Sequence, residues 1–125
     1  MALASQGYIV LSLNHQDGSA PVVQRVDGSF LTFDFEIPGL KGGKDTEEEY
    51  YRARRSRTNL RVKELLASTE RLLDLNEMDL PELKESNLSL VGRLQKDHSF
   101  FMGHSFGGAT VLTAAKRRPD LIKAV

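Results

Sequence analysis

One run of residues restricts what this chain can fold into more than any other: Phe100-Phe101-Met102-Gly103-His104-Ser105-Phe106-Gly107-Gly108-Ala109-Thr110. It reads G-x-S-x-G, with apolar residues before the serine and small residues after it. The pattern predicts a short strand over residues 99–102, a sharp turn that carries Ser105, and a helix beyond. That helix has good formers in Ala109, Val111, Leu112, Ala114 and Ala115 and ends at Arg117, Arg118 and the breaker Pro119. A serine in such a turn has a crowded backbone, and glycines at 103 and 107 would remove the Cβ atoms that collide there. The turn lifts the hydroxyl clear of the strand end. The backbone N–H of Phe106 then points to where a tetrahedral oxyanion would form, at the positive end of the new helix. The candidate site is therefore Ser105 as nucleophile and the Phe106 N–H as oxyanion donor, on an elbow built from Gly103, His104, Gly107 and Gly108. The competing reading is a glycine-rich strand–helix turn with no chemistry.

Size and charge set the frame around this motif. A chain of 125 residues makes at most one domain, and its 17 basic and 17 acidic residues cancel, so no nucleic-acid partner is expected. There is no cysteine, which removes disulfides and thiolate metal ligands. No apolar run is long enough to span a bilayer. The first residues lack the basic start and long apolar core of a signal peptide. The expectation is a soluble, cytoplasmic protein.

Along the chain, residues 2–6 look like a last helical turn closed by Gly7. Residues 8–13, Tyr-Ile-Val-Leu-Ser-Leu, form a nearly continuous apolar run of strand length, as in a strand buried on both faces of a parallel sheet. His15, Asp17 and Gly18 follow, where loops of parallel α/β sheets carry active sites; a β-turn accounts for the same composition. Residues 30–37 alternate like a half-exposed strand or hairpin arm, and residues 38–44 read as a loop. Its Gly43-Lys44 is not a phosphate-binding loop, because Pro38 stands where the first glycine belongs and Asp45 where Ser or Thr is needed. Glu47, Glu48 and Glu49 before Arg52, Arg54, Arg55 and Arg57 suit a helix start. Val62, Leu65, Leu66, Thr69, Leu72 and Leu73 recur at helical spacing and predict a core face. The arginines could meet phospholipid headgroups, but with acids beside them they read as a solvated face. A short helix is expected over residues 88–94, with Pro81 a candidate first helical residue, and a further strand begins at Leu121.

A serine nucleophile needs a base and an orienting acid. In the hydrolase fold with this elbow they follow the serine as Asp or Glu, then His. None of the residues after Ser105 is histidine. His98 precedes the strand and falls at the opposite sheet edge. His104 reads as a packing residue of the elbow. His15 is on the right edge but out of order, and Asp120, the one carboxylate after the serine, falls on the far edge. No triad assembles from these residues.

Together, Gly103-His104-Ser105-Phe106-Gly107-Gly108-Ala109-Thr110, the strand-like run ending in His15, Asp17-Gly18-Ser19-Ala20, and the acidic then arginine-rich helix from Glu47 resemble the platelet-activating-factor acetylhydrolases of the plasma and intracellular type II kind. The resemblance spans nearly the whole chain, with residues 21–44 its poorest part. It implies an α/β-hydrolase fold, a mostly parallel sheet with flanking helices, of which residues 1–125 form the central part, incomplete at both ends. It also implies a calcium-independent phospholipase A2-type serine esterase that uses no metal and no cofactor, acting on short or oxidised sn-2 acyl chains of phospholipids, with peripheral membrane or lipoprotein contact. Secretion stays open. Ser105 would be the nucleophile. The second oxyanion donor, the triad aspartate and the histidine would lie outside this chain, which alone is expected to be inactive. Another α/β-hydrolase carboxylesterase and a non-catalytic lipid-binding remnant remain open as alternatives.

Overall fold

The computed structural model describes residues 2–33, 46–79, 88–95 and 97–125. The chain divides into two units, Met1–Phe35 and Glu36–Val125.

The first unit begins with a 3₁₀ turn, Ala4–Gln6, closed by Gly7 at φ 86°. Gly7 N–H donates to the Ala4 carbonyl at 3.2 Å and Tyr8 N–H to the Leu3 carbonyl at 3.3 Å, the paired bonds of a Schellman ending. Residues 8–13 correct the sequence reading: they form no strand, and Tyr8, Ile9, Val10 and Leu11 are exposed. A doubly buried strand needs a neighbour on each side and a layer on each face. The apolar run states that need without supplying those partners. The next segment turns as its composition suggests: Asp17 Oδ1 accepts from Ser19 N–H at 3.1 Å and Ser19 Oγ at 2.6 Å, with Gly18 at φ 75°.

Strands β1 (Val22–Gln24) and β2 (Phe30–Thr32) then pair antiparallel, with Val23 opposite Leu31. Their loop is a turn closed by Gly28 N–H on the Arg25 carbonyl at 3.0 Å, followed by the left-handed Gly28. Asp27 Oδ1 holds both Ser29 N–H, at 2.9 Å, and Ser29 Oγ, at 2.6 Å. The hairpin arm expected from residue 30 is thus present as β2. Its continuation over residues 34–37 and the loop to residue 44 lie outside the described residues.

The second unit is organised by a long helix, α1 (Glu47–Asp74). A reciprocal capping box starts it: Glu49 N–H donates to Thr46 Oγ1 at 3.2 Å, and Thr46 N–H donates to Glu49 Oε2 at 2.8 Å. Glu47, Glu48 and Glu49 occupy the positive end, and Glu48 pairs with Arg52 one turn on, at 2.8 Å. The expected apolar face is the one that packs. Val62 is completely buried and Thr69 nearly so, its Oγ1 turned back onto the Leu65 carbonyl at 2.8 Å.

This face meets α2 (Phe106–Arg117), whose Val111 and Ala114 join Val62, Phe101 and Ile122 in one core, with Leu65, Leu66, Ala115 and Leu121 around it. Polar contacts tie the same two helices at their edges. Arg117 Nη2 donates to Asn59 Oδ1, and Arg118, just past α2, reaches Glu70 on α1 at 2.6 Å. The segments at residues 99–102 and 121–125 meet in a single parallel bridge between Phe100 and Ala124. Phe101 N–H donates to the Ala124 carbonyl at 2.9 Å and Lys123 N–H to the Ser99 carbonyl at 3.1 Å. The two expected strands therefore lie side by side in parallel, with one bridge in place of a ladder.

The expected helix over residues 88–94 is not formed. Residues 91–93 are a turn with Gly92 at φ 68°, and Asn76, past the end of α1, competes for its backbone: Leu94 N–H donates to Asn76 Oδ1 at 2.7 Å and Gly92 N–H to the Asn76 carbonyl at 3.0 Å. Pro81 lies outside the described residues. Among the described residues no helix is long and apolar enough to cross a membrane.

Two predictions follow from this packing. Val62→Ala should lower stability by about 2 kcal/mol, from lost transfer energy and the cavity left behind, whereas trimming the exposed Leu112 should cost less than about 0.5 kcal/mol; chemical denaturation measures both. The capping hydrogen bonds from Thr46 hold the Glu49 carboxyl below its ordinary 4.5. A folded-state pKa below the unfolded one gives stability that is present above the ordinary value and is lost as pH falls through the folded one. Melting scans on acidification should show the penalty of Thr46→Ala largest at neutral pH and shrinking once Glu49 is protonated.

Candidate active site

The apolar residues 99–102 lead directly into the turn, and Phe101 anchors them by sitting buried in the core. The chain then reverses at Ser105, with φ 54° and ψ −114°. Among the described residues Ser105 is the only non-glycine with positive φ. A side chain there carries strain of about 1–3 kcal/mol, and such a conformation persists only where the surroundings fix it.

Gly103 is one part of those surroundings. A Cβ at position 103 would lie 2.3 Å from both the carbonyl carbon and oxygen of Gly107 and 2.8 Å from the Gly108 nitrogen. These are backbone atoms of the first turn of α2 and cannot swing aside. The strand end is therefore pressed onto the helix start, and only glycine permits it. Gly108 contributes ordinary contact, since a Cβ there would sit 3.4 Å from the Gly103 oxygen. Gly107 corrects the sequence reading: a Cβ at 107 would meet nothing within 4 Å. The crowding in this turn is one-sided, because the backbone of 107 is the wall and the missing Cβ of 103 is the space.

Ser105 occupies the N-cap of α2 yet makes no side-chain capping bond. Its side chain is exposed, and among the described residues no histidine or carboxylate is hydrogen-bonded to it. The first N–H groups of an α-helix have no intrahelical acceptor, and that of Phe106 is the first of α2. A free hydroxyl beside such a donor, at the positive end of a helix of 12 residues, is an arrangement suited to attack on a carbonyl with stabilisation of the resulting oxyanion.

His104 also differs from expectation. It is exposed rather than packed, because the turn that projects Ser105 leaves its neighbour on the outside too. His98 is exposed and lies edge-on to Phe100, ring centroids 6.4 Å apart. Asp120 is engaged elsewhere: Arg118 Nε and Nη2 grip its carboxylate at 3.0 and 2.8 Å, and those bonds keep its pKa below the ordinary carboxylate value. The same guanidinium serves Glu70, and both acids raise its pKa. This ion cluster ties the end of α2 to α1. His15 lies in the other unit, half-buried.

Sequence reasoning missed one component. The Phe106 ring is covered by two guanidinium groups from α1: Arg61 Cζ is 4.2 Å from its centroid and Arg54 Cζ is 5.0 Å. Arg54 also lies over Tyr50, at 5.3 Å. Arg61 is buried at 9% exposure, next to the fully buried Val62. The signal was available, since Arg54 and Arg61 are seven apart and so share a helix face, with Leu65 of the apolar face one turn on from Arg61. The charge run drew attention to solvent instead.

What the geometry defines is an extended segment held by one parallel bridge, a turn with a strained, exposed serine at its tip, and a helix. The model of the family "Platelet-activating factor acetylhydrolase, isoform II" matches residues 1–125, and the chain belongs to that family. It is similar to the platelet-activating factor acetylhydrolase of Canis lupus familiaris, with 31% identity over 128 residues, covering 90% of this chain and 26% of that protein. The Bos taurus protein of the same name is 31% identical over 130 residues, covering 88% and 26%. The chain thus spans about a quarter of the length of these relatives. No solved structure matches it.

The glycine asymmetry gives a direct test. Gly103→Ala should force the strand end off α2 and lower stability by about 3 kcal/mol, while Gly107→Ala should be near neutral or slightly stabilising through better helix propensity. Thermal melting of the two variants reads the difference.

Proposed function

We propose that Ser105 is the nucleophile of a serine esterase of the α/β-hydrolase fold. Its substrates would be phospholipids with a short or oxidised sn-2 acyl chain, cleaved in the manner of a calcium-independent phospholipase A2. The observation that carries this reading is the backbone of Ser105 at φ 54°, held there by the close approach of Gly103 to the first turn of α2. A turn without chemistry has no need to keep a serine, rather than a glycine, in that conformation. Family membership over residues 1–125 and the printed names of the two relatives support the substrate class.

In this mechanism the Ser105 hydroxyl loses its proton to a histidine base as Oγ attacks the sn-2 carbonyl carbon. The carbonyl oxygen becomes an oxyanion, which the Phe106 N–H and the N-terminal end of α2 stabilise. Collapse expels the lysophospholipid hydroxyl, which takes up the base's proton, and leaves an acyl-serine. Water, deprotonated by the same base, then attacks the acyl-serine, releasing the carboxylic acid and regenerating Ser105. We assign the base and its acid to residues outside this chain. The engagement of Asp120 with Arg118 and the exposed position of His98 beside Phe100 support that assignment, and residues 1–125 by themselves are then expected to be inactive. The parallel bridge between Phe100 and Ala124 is, in the same reading, one rung of the hydrolase's parallel sheet, in which residues 1–125 are the central part. Location is proposed as cytoplasmic, in peripheral contact with lipid surfaces.

Ser105→Ala in the complete natural protein tests the assignment. Turnover of a phosphatidylcholine bearing an sn-2 acetyl group should fall by about 10⁴-fold or more, in line with loss of a triad nucleophile. Retained turnover would remove Ser105 from the chemistry. Turnover of simple carboxylic esters with none of the phospholipid would assign a different hydrolase substrate to the same serine.

A further inference from the structure

We propose that Arg61, assisted by Arg54, is a positioning residue for the elbow, holding Phe106 so that its N–H keeps its aim at the reacting carbonyl. This deepens the assignment of Ser105 as nucleophile and rests on it. Arg61 stands on the core face of α1, 9% exposed, adjoining a completely buried valine. A guanidinium in that position needs compensation for its lost hydration. Part of it comes from the face of Phe106, 4.2 Å from Cζ, where the ring's negative face meets the cation. Arg54, two turns earlier on the same face of α1, places a second guanidinium 5.0 Å from the same ring and is itself steadied by Tyr50 through a ring contact and a hydrogen bond.

The ring so held belongs to the residue directly after the strained serine. The Gly103 contact fixes the backbone on the strand side of the turn. On the helix side the first residue of α2 has no capping bond from Ser105 to fix it. The side chain of Phe106, gripped from α1, supplies the missing restraint. A shift of that ring beyond what its own side-chain torsions absorb moves the Phe106 backbone, and with it the peptide that carries the N–H. A 1 Å misplacement of such a group is enough to cost about 100-fold in rate. Arg61 acts on the reaction through Phe106, as a positioning residue and not as a group in contact with the reacting atoms.

The test uses Arg61→Met, which keeps the stem and removes the charge, Arg61→Lys, which keeps a cation, and Arg54→Met as a milder change at an exposed site, all in the complete natural protein. Arg61→Met should lower kcat about 30-fold with KM nearly unchanged. Arg61→Lys should recover most of that loss, and Arg54→Met should show a smaller fall of the same kind. Amide NMR resonances of Ser105 and Phe106 should shift in Arg61→Met and return toward their original positions in Arg61→Lys. Combined with Phe106→Leu, Arg61→Met should cost little more than the worse single change. If Arg61→Met does not fold, Arg54→Met alone decides: unchanged kcat and unmoved elbow resonances overturn the proposal. So do a loss confined to melting temperature and a kcat loss fully additive with Phe106→Leu. An unmodified protein with no Ser105-dependent turnover defeats the nucleophile assignment, and the NMR comparison then still decides whether Arg61 positions the turn.

Discussion

The contact between Gly103 and the opening turn of α2 is the constraint on which the rest of this unit depends. Backbone lies against backbone there, with no room for a methyl group. Because the strand end cannot move away from the helix start, the chain must reverse within Ser105, and the reversal demands a positive φ that an ordinary residue resists. The strain is offset nearby. Phe101 lies buried two residues before Gly103, and Val111 and Ala114 are buried two turns after Ser105, all in the same core. The turn is thus held between two anchored segments, which is how an unfavourable conformation can be the stable one.

Helix α1 gives this arrangement its rigidity. Besides the hydrogen bond from Arg117 to Asn59, it meets α2 and the residues just past it in three chemically distinct ways. Arginine on aromatic ring dominates beside the elbow, aliphatic packing around Val62 fills the middle, and the ion cluster of Glu70, Arg118 and Asp120 closes the far end. Exposed ion pairs of the last kind contribute little energy, so the core and the guanidinium–ring stack carry most of the orientation. The capping box of α1 satisfies the N–H groups of Thr46 and Glu49 at its start.

Much of this was legible in the sequence, for identifiable reasons. The elbow was, because glycine, serine and apolar residues are each demanded by local geometry. The face of α1 was, because a 3.6-residue period needs no knowledge of the partner. Residues 8–13 and 88–94 were not. Their patterns describe what a strand or helix would bury, whereas the outcome depended on whether neighbours were there and on Asn76 capturing nearby N–H groups. The hairpin of β1 and β2 carried its signal in Asp27-Gly28, which received no weight beside the irregular residues around it. Gly107 was misjudged because spacing shows that two glycines flank the serine without showing which one faces the crowded side. Arg61 was hidden by its own charge, since an arginine among arginines is ordinarily read as solvated.

The most direct measurement of the central claim is the reaction of the natural protein with a fluorophosphonate, followed by identification of the modified peptide. The probe reports a serine that is both exposed and activated, without assuming a substrate. A single covalent adduct on Ser105 is expected, lost when the protein is unfolded beforehand. A folded protein that takes no label, or one labelled at another serine while Ser105 stays free, would contradict it.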